Sequence, residues 1–482
     1  MGSVKAWKLS DSAAPKYPDD FEIAKKAVLQ VTDIKNNNNK YYAIELHTAT
    51  AKGKTTYRVF THYGRTDDLD TNPDAGQKEC RFFDDAGSAQ AEYDSIYKQK
   101  TSKAKGYKEL SLASSKIGSQ KARGQSSGEV DAKTLEKMKG DPAVEKPKPK
   151  KSELPPSIQD LVKYIYAEAT SALTTTVNAK ITANGIETPL GVLTVGQIEK
   201  GEDVLGDIHK LFTSGKGNKA KFDDLSSEFY TAIPHRIGRT REAAAASTID
   251  TLTEISQKQE TLQLMKDMLA VNSSGGGGSV LFDDQVDQQY QALGTTLGYV
   301  EPGSPEFKEW AEYVEKSQIK RKDVKVVNLY KVKRAGEWDG FDTKVGNEKM
   351  FYHGSRIQNW VGLMTRGILL PKIVVSMGVN RTDAGWLGNG IYFGDAGCTA
   401  AFYTTPGKKK TRFMTIARVG MGKPKEFTKI TYGLNEPPKG YDSCHGLRHK
   451  REAPSQFEDN EYVVYRQNQQ RMEYLVEFKT NS

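Results

Sequence analysis

A histidine, a tyrosine and a glutamate stand in three short strings in the last third of the chain. Phe-Tyr-His-Gly-Ser-Arg covers Phe351 to Arg356, Gly-Asn-Gly-Ile-Tyr-Phe-Gly-Asp covers Gly388 to Asp395, and Asn-Glu-Tyr-Val-Val-Tyr covers Asn460 to Tyr465. A histidine, a tyrosine and a glutamate brought together from three strands could grip one ligand. Each string alone has a plainer reading: a strand end, a core tyrosine, a glutamate at the start of a surface strand. Their fixed order makes the three candidate partners around one ligand.

Such groups converge only if strands deliver them. Lys325–Val332, Phe413–Val419, Tyr462–Tyr465 and Tyr474–Phe478 read as strands, and Glu306–Lys316 as a helix. A mixed α/β domain, mostly antiparallel, is expected over residues 283–482. Upstream, Tyr42, Ile44 and Leu46 alternate, as do Tyr57, Val59, Thr61 and Tyr63. This predicts two strands joined as a hairpin near Gly53, with a helix near Ala86–Lys100, in a small α+β domain over 20–112 behind an arm of residues 1–19.

Residues 153–282 read as an all-α bundle. Ile158, Leu161, Val162, Ile165, Ala169 and Leu173 share one helical face behind Pro155-Pro156, and a long helix is expected from about Ala243 to Val271. Asn272-Ser-Ser-Gly-Gly-Gly-Gly-Ser279 reads as a flexible loop or an engineered linker. Residues 113–152, rich in Ser, Gly, Lys and Pro, read as a basic flexible linker ending in Lys146-Pro-Lys-Pro-Lys-Lys151. The fold class expected is thus multidomain α+β.

The 482 residues predict about three domains, and 37% hydrophobic content predicts solvated linkers between them. Residues 98–151 hold 15 Lys and Arg against 6 Asp and Glu, which equals the net charge of +9 for the whole chain. Charge so concentrated points to a polyanion, because each neutralised phosphate releases a counterion. The Lys/Pro cluster also reads as a nuclear-import patch or as a solvated linker. Cys80, Cys398 and Cys444 are too scattered for a disulfide framework or a cysteine-rich zinc site. No apolar run approaches the roughly 18–20 residues that span a bilayer, and no secretory signal is visible, so an intracellular protein is expected.

The last domain resembles the ADP-ribosyltransferase catalytic domain of the poly(ADP-ribose) polymerases over nearly all its length. The resemblance implies that NAD+ is the consumed substrate and that no metal is needed. It implies that His353 bonds the adenosine ribose, that the Gly354 backbone pairs with the nicotinamide carboxamide beside Ser355, and that Tyr392 and Tyr403 sandwich the nicotinamide. Glu461 would bind the nicotinamide ribose and stabilise the oxocarbenium-like transition state; this Glu argues for chain elongation. Three positions depart from the family pattern. Thr399 and Ala400 replace its usual Lys and Ser, so either nicotinamide binds more weakly or Thr399 substitutes as the carboxamide hydroxyl, and Leu369 replaces an Arg of the adenosine pocket.

Leu154–Leu161, Pro189–Leu193 and Asp224–His235 resemble the family's regulatory helical domain, and His209 and His235 there read as structural. Residues 20–112 resemble a WGR domain, with Tyr63-Gly64-Arg65 as the naming string. This implies DNA contacts by Tyr63, Gly64 and Arg65, extended by Lys98, Lys103 and Lys105. The expected function is a DNA-break-activated, autoinhibited enzyme of DNA repair that builds poly(ADP-ribose) on proteins including itself. It would work in a nucleus, or in the cytoplasm or nucleoid if bacterial. A mono-ADP-ribosyltransferase and a catalytically weak DNA-end scaffold are the alternatives.

Overall fold

The computed structural model describes residues 4–69, 71–128, 152–177, 180–182, 185–274, 286–370 and 385–481. Lys146–Lys151 and Gly275–Ser279 lie outside them. The chain divides into two compact units, residues 1–144 with 173–269, and residues 145–172 with 270–482.

In the first unit, strands β1 (Trp7–Lys8), β2 (Glu22–Asp33), β3 (Asn38–Ala51), β4 (Lys54–Arg65), β5 (Gln77–Phe83) and β6 (Lys108–Glu109) form a sheet in the order β1-β5-β4-β3-β2-β6. The expected hairpin is β3–β4. Its tip, Lys52-Gly53, has φ of 51° and 79°, so both central residues are left-handed, as tight hairpin turns require. Helix α1 (Ala86–Thr101) is capped by Asp85, which accepts from the Ser88 N–H at 2.7 Å. Its Ala89, Tyr93 and Ile96 pack on Tyr42, Ile44, Leu46 and Val59 of the sheet.

Residues 113–127 are not linker. Strand β7 (Leu112–Ser115) heads a four-stranded sheet with β8 (Lys180–Thr182), β9 (Gly185–Glu187) and β10 (Gly191–Leu193), in the order β7-β10-β9-β8. Ala113, Ile117 and Ala122 are buried, and the Ser119 N–H reaches the buried Glu45 carboxylate at 2.7 Å. Sparse apolar residues and many serines hid this from composition: polar pairing to the neighbouring sheet fixes the segment.

Helix α2 (Pro156–Val177) buries the whole predicted face, Ile158 through Leu173. Helices α3 (Val195–Thr213), α4 (Lys219–Ala232), α5 (Arg241–Ala245) and α6 (Leu252–Ser274) follow. The single helix expected from Ala243 to Val271 is broken. Thr251 and Glu254 form a reciprocal capping box, with the Glu254 N–H on Thr251 Oγ1 at 3.2 Å and the Thr251 N–H on Glu254 Oε2 at 3.1 Å. A new helix therefore starts at Leu252.

The second unit continues with α7 (Val286–Ala292), β11 (Thr295–Val300), α8 (Pro305–Lys316), β12 (Lys325–Arg334), α9 (Ala335–Gly340), β13 (Glu348–Gly354), α10 (Trp360–Arg366), β14 (Ile391–Phe393), α11 (Gly397–Phe402), β15 (Arg412–Gly420), β16 (Pro424–Phe427), β17 (Ser443–Gly446), β18 (Glu461–Val464) and β19 (Gln470–Lys479). Two sheets result, β11-β12-β19-β15-β13 and β14-β18-β17-β16. They meet where Tyr352 and Gly394 exchange backbone hydrogen bonds of 2.9 and 3.0 Å. That junction lies one residue from His353 and two from Tyr392.

Candidate active site

The junction opens onto a cavity lined by His353, Gly354, Leu369, Tyr392, Thr399, Ala400, Tyr403 and Glu461, among others. His353 and Gly354 come from the end of β13, Tyr392 from β14, Thr399 and Ala400 from α11, Tyr403 from its C-cap, and Glu461 from the first position of β18. The sequence-predicted groups thus converge, with one exception. Ser355 does not line the cavity; its hydroxyl lies 3.1 Å from the Asn359 side-chain amide, which donates to it.

His353 Nδ1 lies 2.9 Å from the Tyr392 carbonyl. A carbonyl can only accept, so Nδ1 carries the proton and Nε2 is left as an acceptor. Burial lowers the imidazole pKa and keeps the ring neutral. The Tyr392 hydroxyl donates to the Gly388 carbonyl at 2.7 Å and accepts from the Leu387 N–H at 2.9 Å, so the ring is clamped at its far end. Gly354 is compulsory for space: a Cβ there would drive into the Ala400 carbonyl. Thr399 Oγ1 is buried with no hydrogen-bond partner among the described residues, a donor held ready for a ligand.

Glu461 is 8% exposed. Burial first, then Asp459 and Asp395, push its pKa up to about 8. Asp395 and Asn460 had been read only as parts of strings, and Arg448 carried no sequence signal. The three form a network behind Glu461. Asn460 Nδ2 donates to Asp395 Oδ2 at 2.6 Å, Arg448 Nη2 donates to Asp395 Oδ1 at 2.8 Å, and the Arg448 N–H donates to Asn460 Oδ1 at 2.8 Å. No cluster of three or more metal-ligating side chains occurs among the described residues.

The predicted nucleic-acid residues lie in the first unit. Tyr63 stacks on Tyr42 with centroids 5.2 Å apart, Lys100 sits over the Tyr42 ring at 4.2 Å, and Lys98, Lys103 and Lys105 are exposed nearby in sequence. Gly64 leaves little room for a side chain, because a Cβ would lie 3.0 Å from the Gly76 Cα and 3.1 Å from the Tyr41 hydroxyl. Arg65 departs from its expected role. Its guanidinium donates to the Asn37 carbonyl at 2.9 Å and the Gly238 carbonyl at 2.5 Å, and its Nε lies 3.0 Å from Asp67. It is committed to protein partners, a tether between β4 and the segment before α5. No helix among the described residues is long and apolar enough to cross a membrane.

One antiparallel sheet and one mixed sheet, in which β16 and β17 run parallel, thus meet at a cavity lined by His353, Tyr392 and Glu461, and comparison with known proteins gives the family. The poly(ADP-ribose) polymerase catalytic domain matches residues 304–480, the poly(ADP-ribose) polymerase regulatory domain matches 152–290, and the WGR domain matches 25–113. The chain belongs to the poly(ADP-ribose) polymerase family. It is 32% identical to the human protein mono-ADP-ribosyltransferase PARP4 over 68% of this chain and 18% of that protein. It is 28% identical to the Drosophila melanogaster poly [ADP-ribose] polymerase over 94% of this chain and 46% of that protein. Human poly [ADP-ribose] polymerase 2 is 24% identical over 94% of this chain and 79% of its own length. The chain therefore spans less than half the length of the first two of these relatives.

Proposed function

We propose that the chain is an NAD+ ADP-ribosyltransferase that cleaves NAD+ to nicotinamide and passes ADP-ribose to protein side chains, its own included. The observation that carries this reading is the convergence of His353, Tyr392, Thr399, Tyr403 and Glu461 on one cavity. The nicotinamide ring would lie between Tyr392 and Tyr403, with its carboxamide on the Gly354 backbone and the Thr399 hydroxyl. His353 Nε2 would accept from the adenosine ribose hydroxyl. As the glycosidic bond breaks, electrons leave with neutral nicotinamide and positive charge builds on the ribose, where an ionised Glu461 stabilises it. The pyridinium charge of NAD+ favours that ionisation on binding.

DNA breaks are the proposed activator, and Tyr63, Gly64, Lys98, Lys103 and Lys105 the proposed contact surface. Support comes from the stacked tyrosines flanked by lysines and from the WGR match. Elongation to polymer is supported by Glu461 and by relatives named poly [ADP-ribose] polymerase. Single-unit transfer is the second reading, favoured by Ala400 and by the relative named mono-ADP-ribosyltransferase. In a eukaryote the site of action proposed is the nucleus.

Labelled NAD+ with and without nicked DNA tests these together. A DNA-dependent smear on a gel is expected. A sharp band would replace polymer synthesis with single transfer, and no label at all would overturn the enzyme reading.

A further inference from the structure

Glu461 can stabilise a cation only when ionised, yet its surroundings oppose ionisation. Asp459 precedes it by two residues on its own segment, and Asp395 comes from the turn after β14. His353 of β13 is neutral, and so is His445 of β17, whose pKa burial lowers. Lys320 lies 3.7 Å from Asp459 but is 47% exposed, so solvent screens it. Arg366 acts on His353, and among the described residues the cation bonded to Asp395 is Arg448, whose side chain is 15% exposed. It bonds Asp395 at 2.8 Å, and its Nε lies 3.5 Å from Asp459 Oδ1. It also holds Asn460, the residue before Glu461, by its own backbone N–H.

We propose that Arg448 is a positioning residue for Glu461: through Asp395 and Asn460 it fixes the start of β18, and its charge opposes the two aspartates that add to burial in disfavouring the Glu461 carboxylate. The inference rests on Glu461 as the carboxylate of the proposed transfer. Nothing moves covalently. The only event is loss of the Glu461 proton to solvent, which Arg448 makes easier and Asp459 makes harder.

The test measures nicotinamide release from NAD+ by the full chain with nicked DNA, across pH, for wild type, Arg448→Gln and Asp459→Asn. The midpoint of the acid limb of kcat/KM is expected to move up in Arg448→Gln and down in Asp459→Asn, by about half a pH unit or more each. Rates below the midpoint then change about three-fold or more in opposite directions. Unmoved midpoints, or shifts of both variants the same way, overturn the proposal. Should Arg448→Gln fail to fold, Arg448→Met, which keeps the side chain's length and removes its charge, takes its place with the same upward shift expected. The carboxyl 13C shift of Glu461, assigned by its loss in Glu461→Gln, reads the same titration without turnover. A wild type that releases no nicotinamide therefore sinks the enzyme reading, while unmoved carbon titrations sink the role of Arg448.

Discussion

At the residue scale, the same burial that places Glu461 for chemistry costs stability. Its folded pKa, about 8, lies above the ordinary 4.5, so between these values the folded chain keeps a proton that the unfolded chain has released. This group therefore favours folding least at high pH, and its contribution falls as pH rises through 8. Glu461→Gln removes that dependence. Relative to wild type it should gain stability from pH 5 to pH 9, on the order of a few kcal/mol, in urea unfolding at each pH. The same variant should still bind NAD+ but lose transfer; polymer of unchanged length would refute the assigned role. Thr399→Val keeps shape and deletes the unpartnered hydroxyl. A lost hydrogen bond of about 0.5–1.5 kcal/mol predicts a KM for NAD+ raised about two- to ten-fold with kcat little changed. Equal KM in the two proteins would show that Thr399 does not reach substrate.

At the scale of elements, the two sheets of the second unit are pinned at the Tyr352–Gly394 bridge, and the site inherits that rigidity. In the first unit the pinning is polar. The Thr32 N–H donates to Thr231 Oγ1 at 2.9 Å, the Ile34 N–H donates to Ser227 Oγ at 3.0 Å, and Arg65 joins Asn37, Asp67 and Gly238. The WGR-like sheet and α4 thus form one body. Arg65→Ala leaves the buried Asp67 without this cation and should destabilise the first unit by about 3 kcal/mol in a denaturant titration. If DNA stimulation is lost in that variant, disruption of this tether is the expected cause rather than a missing phosphate contact. Unfolding identical to wild type would contradict the tether.

At the scale of the whole molecule, the surplus of positive charge lies in residues 98–151. Replacing Lys98, Lys103 and Lys105 together by Gln should weaken DNA binding and flatten its dependence on salt. The slope of log K against log salt should fall by about two to three, as read by fluorescence anisotropy over a NaCl series. A slope equal to wild type would move the DNA surface elsewhere.

Local pattern was enough for several elements. The β3–β4 hairpin, α1, the buried face of α2, and most strands of the second unit follow from alternation, helical spacing and capping, which neighbours in sequence impose. His353, Tyr392 and Glu461 were legible because each sits in a short string of its own. The sequence could also have shown the Thr251-x-x-Glu254 box that ends the expected long helix, since its signal is local. Tertiary structure alone decided the rest. Residues 113–127 are ordered by Glu45 and by β10, both distant in sequence, so composition read them as linker. Arg65 was read as a phosphate ligand because Asn37, Asp67 and Gly238 meet it only after folding. Arg448 reaches Asp395 across 53 residues of chain. Pairing set by neighbours is written in the sequence, whereas the charge a carboxylate carries depends on which distant groups folding brings within a few ångströms of it.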